Sequence, residues 1–161
     1  VLEWLENSAY AQFMLGESLL GWPFALTVHA FGTAIVIGFI FIMDLRLLGF
    51  FRAIPYTSLL RLFPVIWVAV LFQALSGVSL WMTKPTKYVT DGAFVAKFSF
   101  VILGIIAIWL FQNTIKREAA SWDTGGKVSS RGLKFVGATF LLWAAVLVAG
   151  RLTAYLGALY A

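Results

Sequence analysis

The stretch Gly21–Gly49, GWPFALTVHAFGTAIVIGFIFIMDLRLLG, decides the fold. From Ser18 to Met43 no side chain is permanently charged, and the run holds His29, the one histidine of the chain. A helix rises about 1.5 Å per residue, so about 20 residues cross a hydrocarbon core of about 30 Å. The run is long enough to do so. It ends at Asp44-Leu45-Arg46, a charged lip. One ionisable ring therefore sits inside a membrane helix, well before its charged end.

Composition agrees. The chain of 161 residues is 61% hydrophobic and 12% charged, against about 25% charged residues in soluble domains. Too little polar surface is available to cover a water-facing globule, so the solvent is lipid. The absence of cysteine excludes disulfides, thiolate metal sites, cysteine-ligated iron–sulfur clusters and a covalently attached c-type haem. The length fits a single transmembrane domain over 1–161. The acidic start lacks the basic n-region of a cleavable signal peptide.

Working outward, residues 1–20 carry Glu3, Glu6 and Glu17 among Leu2, Trp4, Leu5, Tyr10 and Phe13 at roughly helical spacing. They read as an amphipathic helix lying in the interface. Spans are expected at about 22–45, 62–83, 93–115 and 135–160, each opening or closing at charged or Pro- and Gly-rich stretches. The predicted fold is all-α: an integral membrane four-helix up-down bundle with an N-terminal interfacial helix. The connections after the first and third spans hold Arg46, Arg52, Arg61, Lys116, Arg117, Lys127, Arg131 and Lys134, whereas the second loop holds Lys84 and Lys87. Eight basic residues against two make the first pair cytoplasmic and both termini periplasmic in a bacterial inner membrane. The same bias accounts for the net charge of +5 without nucleic acid.

Depth supplies the candidate site. His29 lies about seven residues into span 1, Lys97 about four into span 3, Arg151 about nine before the end of span 4, and Gln73 and Ser76 seven to ten before the end of span 2. These offsets put all four helices' polar groups about 6–15 Å below the outer surface. A charge at depth costs about 2.5 kcal/mol or more and usually faces a bundle interior or cavity. Tyr155 shares a helical face with Arg151. The cations lack an acid at their depth, so their counter-ion is a haem propionate, a quinone oxygen, a lipid phosphate, or Glu3, Glu6 or Glu17 folded back. Plainer roles stand beside these. Lys97 and Arg151 can snorkel to the surface. His29 can hydrogen-bond across the bundle to Gln73 or Ser76, which serve as packing glue. Asp44 and Arg46 can form a cap or an ion pair at the cytoplasmic end.

The segments HAFGTAIVIGFIFIMDLRLLG (29–49), GAFVAKFSF (92–100) and WAAVLVAGRLTAY (143–155) together resemble a poorly characterised bacterial family of small four-helix integral membrane proteins. Its signature is DLRLLG after the first transmembrane helix. The resemblance covers roughly residues 20–158 and draws attention to Asp44, Arg46, Gly49, Lys97, Gly150, Arg151, Ala154 and Tyr155. It implies a bacterial membrane bundle and no particular reaction. Family members often carry an acid shortly before the histidine. Here Leu26, Thr27 and Val28 stand there, so a carboxylate–histidine pair is not expected.

Three functions compete. The first is a membrane subunit binding haem b or a quinone near the periplasmic face, for electron transfer or to anchor a redox complex. His29 would be the metal ligand, and Arg151, Lys97, Gln73, Ser76 and Tyr155 would hold the cofactor. The second is a structural anchor subunit without cofactor, packed beside other membrane subunits or a second copy. The third is copper or small-solute transport, using His29 with Met14 and Met82. No carboxylate pair, nucleophile–base pair or phosphate loop is present, so the isolated chain is not expected to be an enzyme.

Overall fold

The computed structural model describes the backbone of residues 1–159 and the side chains of residues 1–152 and 155. Seven α-helices follow in order: α1 (Leu2–Glu6), α2 (Ala9–Leu15), α3 (Trp22–Leu47), α4 (Phe63–Trp81), α5 (Pro85–Thr90), α6 (Gly92–Asp123) and α7 (Ser130–Leu159). A 3₁₀ segment, Tyr56–Leu62, leads directly into α4. Among the described residues there is no strand.

Local chemistry sets the helix starts. Pro23, Pro64 and Pro85 stand in the first turns of α3, α4 and α5, where a missing N–H costs nothing. Asp91 caps α6 by accepting from the Ala93 and Phe94 amides at 2.8 and 3.4 Å. Ser129 accepts from the Gly132 amide at 3.1 Å and starts α7. The α6–α7 turn needs its glycines. Gly125 has φ +100°, and a Cβ on Gly126 would meet the Ser121 carbonyl at 2.5 Å.

Four segments are long and apolar enough to cross a bilayer: Trp22–Leu47, Tyr56–Trp81, Gly92–Asp123 and Ser130–Leu152. Only 22% to 33% of their apolar windows is buried inside the protein, so the rest requires lipid. The chain is a multi-pass membrane protein with an all-α four-helix bundle. The spans pair as two antiparallel hairpins. In α3/α4, Gly32 meets Ala69 and Gln73. In α6/α7, Gly104 meets Trp143 and Gly150 meets Lys97. The hairpins join chiefly at the pole bearing the basic connections. There Tyr56 packs edge-on to Trp122, and Phe63 and Phe135 both pack on Phe111. The core follows suit: Val36, Ile40, Met43, Phe63, Ile66, Ile108, Phe111, Ile115 and Trp143 fill the half of the bundle towards this basic pole. Small residues fill much of the other half, with Ala25, Gly32, Gly104, Ala107 and Ala149 buried.

Several boundaries differ from expectation. Residues 1–20 form two short helices, because Ser8 turns its side chain back to cap α2 through the Ala11 amide. Trp4, Phe13, Leu19 and Leu20 of that segment are exposed, while Ala11 and Met14 are buried. The loop at 84–92 contains α5, and the Glu6 carboxylate accepts from the Thr86 hydroxyl, tying α1 to it. Glu6 thus serves a threonine rather than a membrane cation. Helix α6 runs past Ile115 to Asp123, and α7 starts at Ser130 rather than at 135. Charge marks where the membrane ends, not where the helix does: Glu118, Ala119 and Ala120 are good helix formers, and Ala119 and Trp122 are buried. The expected end of span 4, Tyr160, lies outside the described residues.

Candidate functional site

Half a helix length from the basic pole, α3 and α4 exchange a closed set of hydrogen bonds. His29 Nδ1 lies 3.1 Å from the Gln73 backbone oxygen and 3.1 Å from Ser76 Oγ. A carbonyl oxygen only accepts, so Nδ1 carries the ring proton. Ser76 Oγ donates to the Phe72 carbonyl at 2.8 Å and is free to accept from the ring. The Gln73 side-chain amide donates to Thr33 Oγ1 at 2.9 Å, and Thr33 donates to the His29 carbonyl at 2.8 Å. Glycines make this approach possible. A Cβ on Gly77 would stand 3.2 Å from His29 Cε1, and one on Gly32 3.1 Å from Gln73 Cβ.

The tautomer leaves Nε2 with its lone pair. It has no hydrogen-bond partner, and it is not sealed off either. Among the described residues Trp143 Nε1 is the one side-chain N or O atom both enclosed and unpartnered. A backbone carbonyl fixing one imidazole nitrogen so that the other can ligate is the usual support of a metal-binding histidine. Among the described residues no group of three or more His, Cys, Asp and Glu could hold a metal. His29 is a single ligand.

Lys97 reaches sideways. A Cβ on Gly150 would lie 3.6–3.8 Å from its Cε, Nζ and Cδ, so its ammonium rests against α7 instead of climbing to the surface. Lys97 is half-buried on the hairpin that faces the one carrying His29. Arg151 and Tyr155 are exposed on α7, Tyr155 at 65%. The structure thus brings His29, Gln73 and Ser76 together on one hairpin, sets Lys97 on the other, and leaves Arg151 and Tyr155 facing outward.

Two polar pairings go beyond what the sequence shows. Thr33 completes the α3/α4 set, and its signal was the i+4 spacing from His29 on one face. The other is at Asp44, 3% exposed inside α3. The expected pairing of Asp44 with Arg46 does not form. Both carboxyl oxygens lie against Thr139 Oγ1 on α7, at 3.0 and 3.1 Å. Arg46 points elsewhere, donating from Nε to the Ile54 carbonyl at 2.5 Å and stacking 3.7 Å above the Tyr56 ring. The reason is azimuth: residues two apart lie on opposite sides of a helix.

No family model, curated protein or solved structure matches the chain.

Proposed function

We propose that the chain is a membrane subunit that binds haem b through His29 Nε2 near the periplasmic face of a bacterial inner membrane, serving electron transfer or anchoring a redox complex. One observation carries this reading: Nδ1 donates to the Gln73 carbonyl, so the lone pair faces away from the supporting helix and is unused. When bound, haem supplies one-electron redox chemistry at its iron. Of the chain's residues, His29 would supply one nitrogen ligand. Gln73 and Ser76 orient the imidazole, and Lys97 would offer a cation to a propionate. A second ligand would have to be supplied by a partner subunit or a second copy. The eight-to-two loop charge bias supports the orientation with both termini outward.

A second reading, quinol binding, draws on the donor inventory. Nδ1, Ser76 Oγ and the Gln73 amide all have partners within the hairpin. A quinone carbonyl would find only Lys97 as a donor, whereas a quinol hydroxyl can donate to Nε2. The site therefore favours the reduced form. Visible spectroscopy of the detergent-purified chain tests the proposal. A Soret band with reducible α/β bands, lost in both His29→Ala and His29→Gln, is expected. A colourless chain with normal membrane levels overturns haem, and leaves quinol if added quinol protects His29 from acylation at Nε2. No protection leaves a cofactor-free anchor.

A further inference from the structure

The DLRLLG stretch is not used by the His29 site, yet it holds the only buried cation among the described residues, Arg46, at 6% exposed. Its surroundings form a cavity of about 300 Å³ at the basic pole, lined by Arg46, Arg52, Pro55, Tyr56, Trp122 and Asp123. The guanidinium is held rigidly. Nε is tied to the Ile54 carbonyl at 2.5 Å, and the plane lies 3.7 Å over the Tyr56 ring, which is braced edge-on by Trp122 at 5.5 Å. The two terminal nitrogens have no partner among the described residues, and neither is sealed from the cavity. A guanidinium desolvated this far and left half-used is poised for an anion that matches its fork.

The obvious internal counter-ion is already engaged. Asp123 accepts from the Tyr56 amide at 2.6 Å, the Thr57 amide at 3.0 Å and the Thr57 hydroxyl at 2.8 Å. It anchors the 3₁₀ segment to the end of α6 and stays beyond direct ion-pair distance of Arg46, although the Arg46 charge helps hold its carboxyl below the usual range. Arg52 stands exposed at the mouth, its Nε a long 3.4 Å from the Gly49 carbonyl. Two guanidinium groups against one occupied carboxylate leave the cavity cationic. Its position selects among anions. Helix α3 ends at Leu47, so the cavity lies at headgroup depth, and Phe50 and Phe51, next in sequence to Arg52, are exposed at 58% and 53%. These side chains offer an apolar path for acyl chains next to a phosphate-binding fork.

We infer that this cavity binds the phosphate of an anionic phospholipid, with Arg46 as the fixed fork, Arg52 as the closing cation and Phe50 and Phe51 along the acyl chains. Basic pockets at the ends of membrane helices bind acidic headgroups by this chemistry. The His29 site is not involved, and the inference stands whether or not that site takes a cofactor.

Native mass spectrometry of the delipidated, detergent-purified chain tests it, with phosphatidylglycerol, phosphatidylcholine and inorganic phosphate as probes. One phosphatidylglycerol adduct is expected, at a preference over phosphatidylcholine of about tenfold, since the net negative headgroup is what the two arginines attract. Arg52→Gln should reduce that preference several-fold, and being exposed it leaves the fold intact. Arg46→Lys keeps the charge but not the fork, and should lose most of the preference. Equal binding of the two lipids, or a preference unchanged in both variants, overturns the inference. Displacement of phosphatidylglycerol by millimolar inorganic phosphate would keep the phosphate site and overturn the lipid as its source.

Discussion

Gly77→Ala offers a direct measure of how tightly His29 is held. The added Cβ would lie 3.2 Å from His29 Cε1 and 3.5 Å from Nδ1. Carbon atoms prefer about 3.5–4.0 Å, so the ring must retreat by about 0.3–0.8 Å. Both acceptors of Nδ1, the Gln73 carbonyl and Ser76 Oγ, sit on the same helix as the new methyl, at 3.1 Å each. The retreat lengthens both to about 3.4–3.9 Å, and a contact of about 3.6 Å no longer counts as a hydrogen bond. Interhelical hydrogen bonds in membranes average about 0.6 kcal/mol, so losing one or both costs about 0.6–1.2 kcal/mol. That is roughly a three- to eightfold shift in the unfolding equilibrium. A glycine replaced in a helix also gains up to about 1 kcal/mol of propensity, which must be subtracted. Gly38 provides the reference, since a Cβ there meets nothing within 4 Å. Gly150 provides a second, since its Cβ would make only ordinary 3.6–3.8 Å contacts with the flexible end of Lys97. The assay is equilibrium unfolding of the three variants by sodium dodecyl sulfate in mixed micelles. If Gly77→Ala is as stable as Gly38→Ala and Gly150→Ala, the imidazole is not clamped and the assigned tautomer loses its physical basis.

Other outcomes follow from the same geometry. Thr139→Val removes the hydroxyl against both Asp44 oxygens at constant shape; a loss of about 0.6–1.7 kcal/mol in the same micellar assay is expected, while Thr139→Ser keeps most of it. Burial, and then the Asp91 carboxylate, push the Tyr88 phenol up. The folded chain therefore keeps a proton that an unfolded phenol releases near pH 10, so stability is level below about pH 10 and falls above it. Tyr88→Phe should flatten that alkaline fall in unfolding midpoints measured between pH 9 and 11. Reporter fusions after Gly126 and after Thr90 should report opposite sides of the membrane, with Gly126 cytoplasmic; the same side for both would break the four-span topology.

The four spans were legible because long uncharged runs have few other solutions, and the depth of His29, Gln73 and Ser76 could be counted from the span ends. Depth does not give azimuth. Gly150 faces Lys97 and Arg151 is the next residue, about 100° further round the axis, so one step in sequence moves a cation from the bundle to its outside. The helix at 116–123 is hidden in the sequence because its charged residues look like the end of a span, although Ala119 and Trp122 are buried. Contacts such as Trp67 Nε1 donating to Gln112 Oε1 at 3.0 Å, or Asp44 with Thr139, join residues 45 and 95 positions apart. Neither residue of such a pair carries a local mark of its partner. The Asp123 clamp on Tyr56 and Thr57 is of the same kind.

The 95-residue gap between Asp44 and Thr139 has a consequence for synthesis. His29, Thr33, Gln73 and Ser76 satisfy one another within the first hairpin, so their partners are available as soon as α4 leaves the ribosome. Asp44 has to wait. At about 5–20 residues per second, Thr139 follows it by roughly 5–20 s, during which a carboxyl stands in or beside the nascent bilayer without its hydroxyl partner. Trp67 of the same hairpin waits for Gln112, 45 residues on, but Asp44 waits longer. Asp44 becomes the chain's own record of whether the last helix has arrived, and a nascent chain stalled before Thr139 presents to quality-control proteases the polar defect that a finished one conceals.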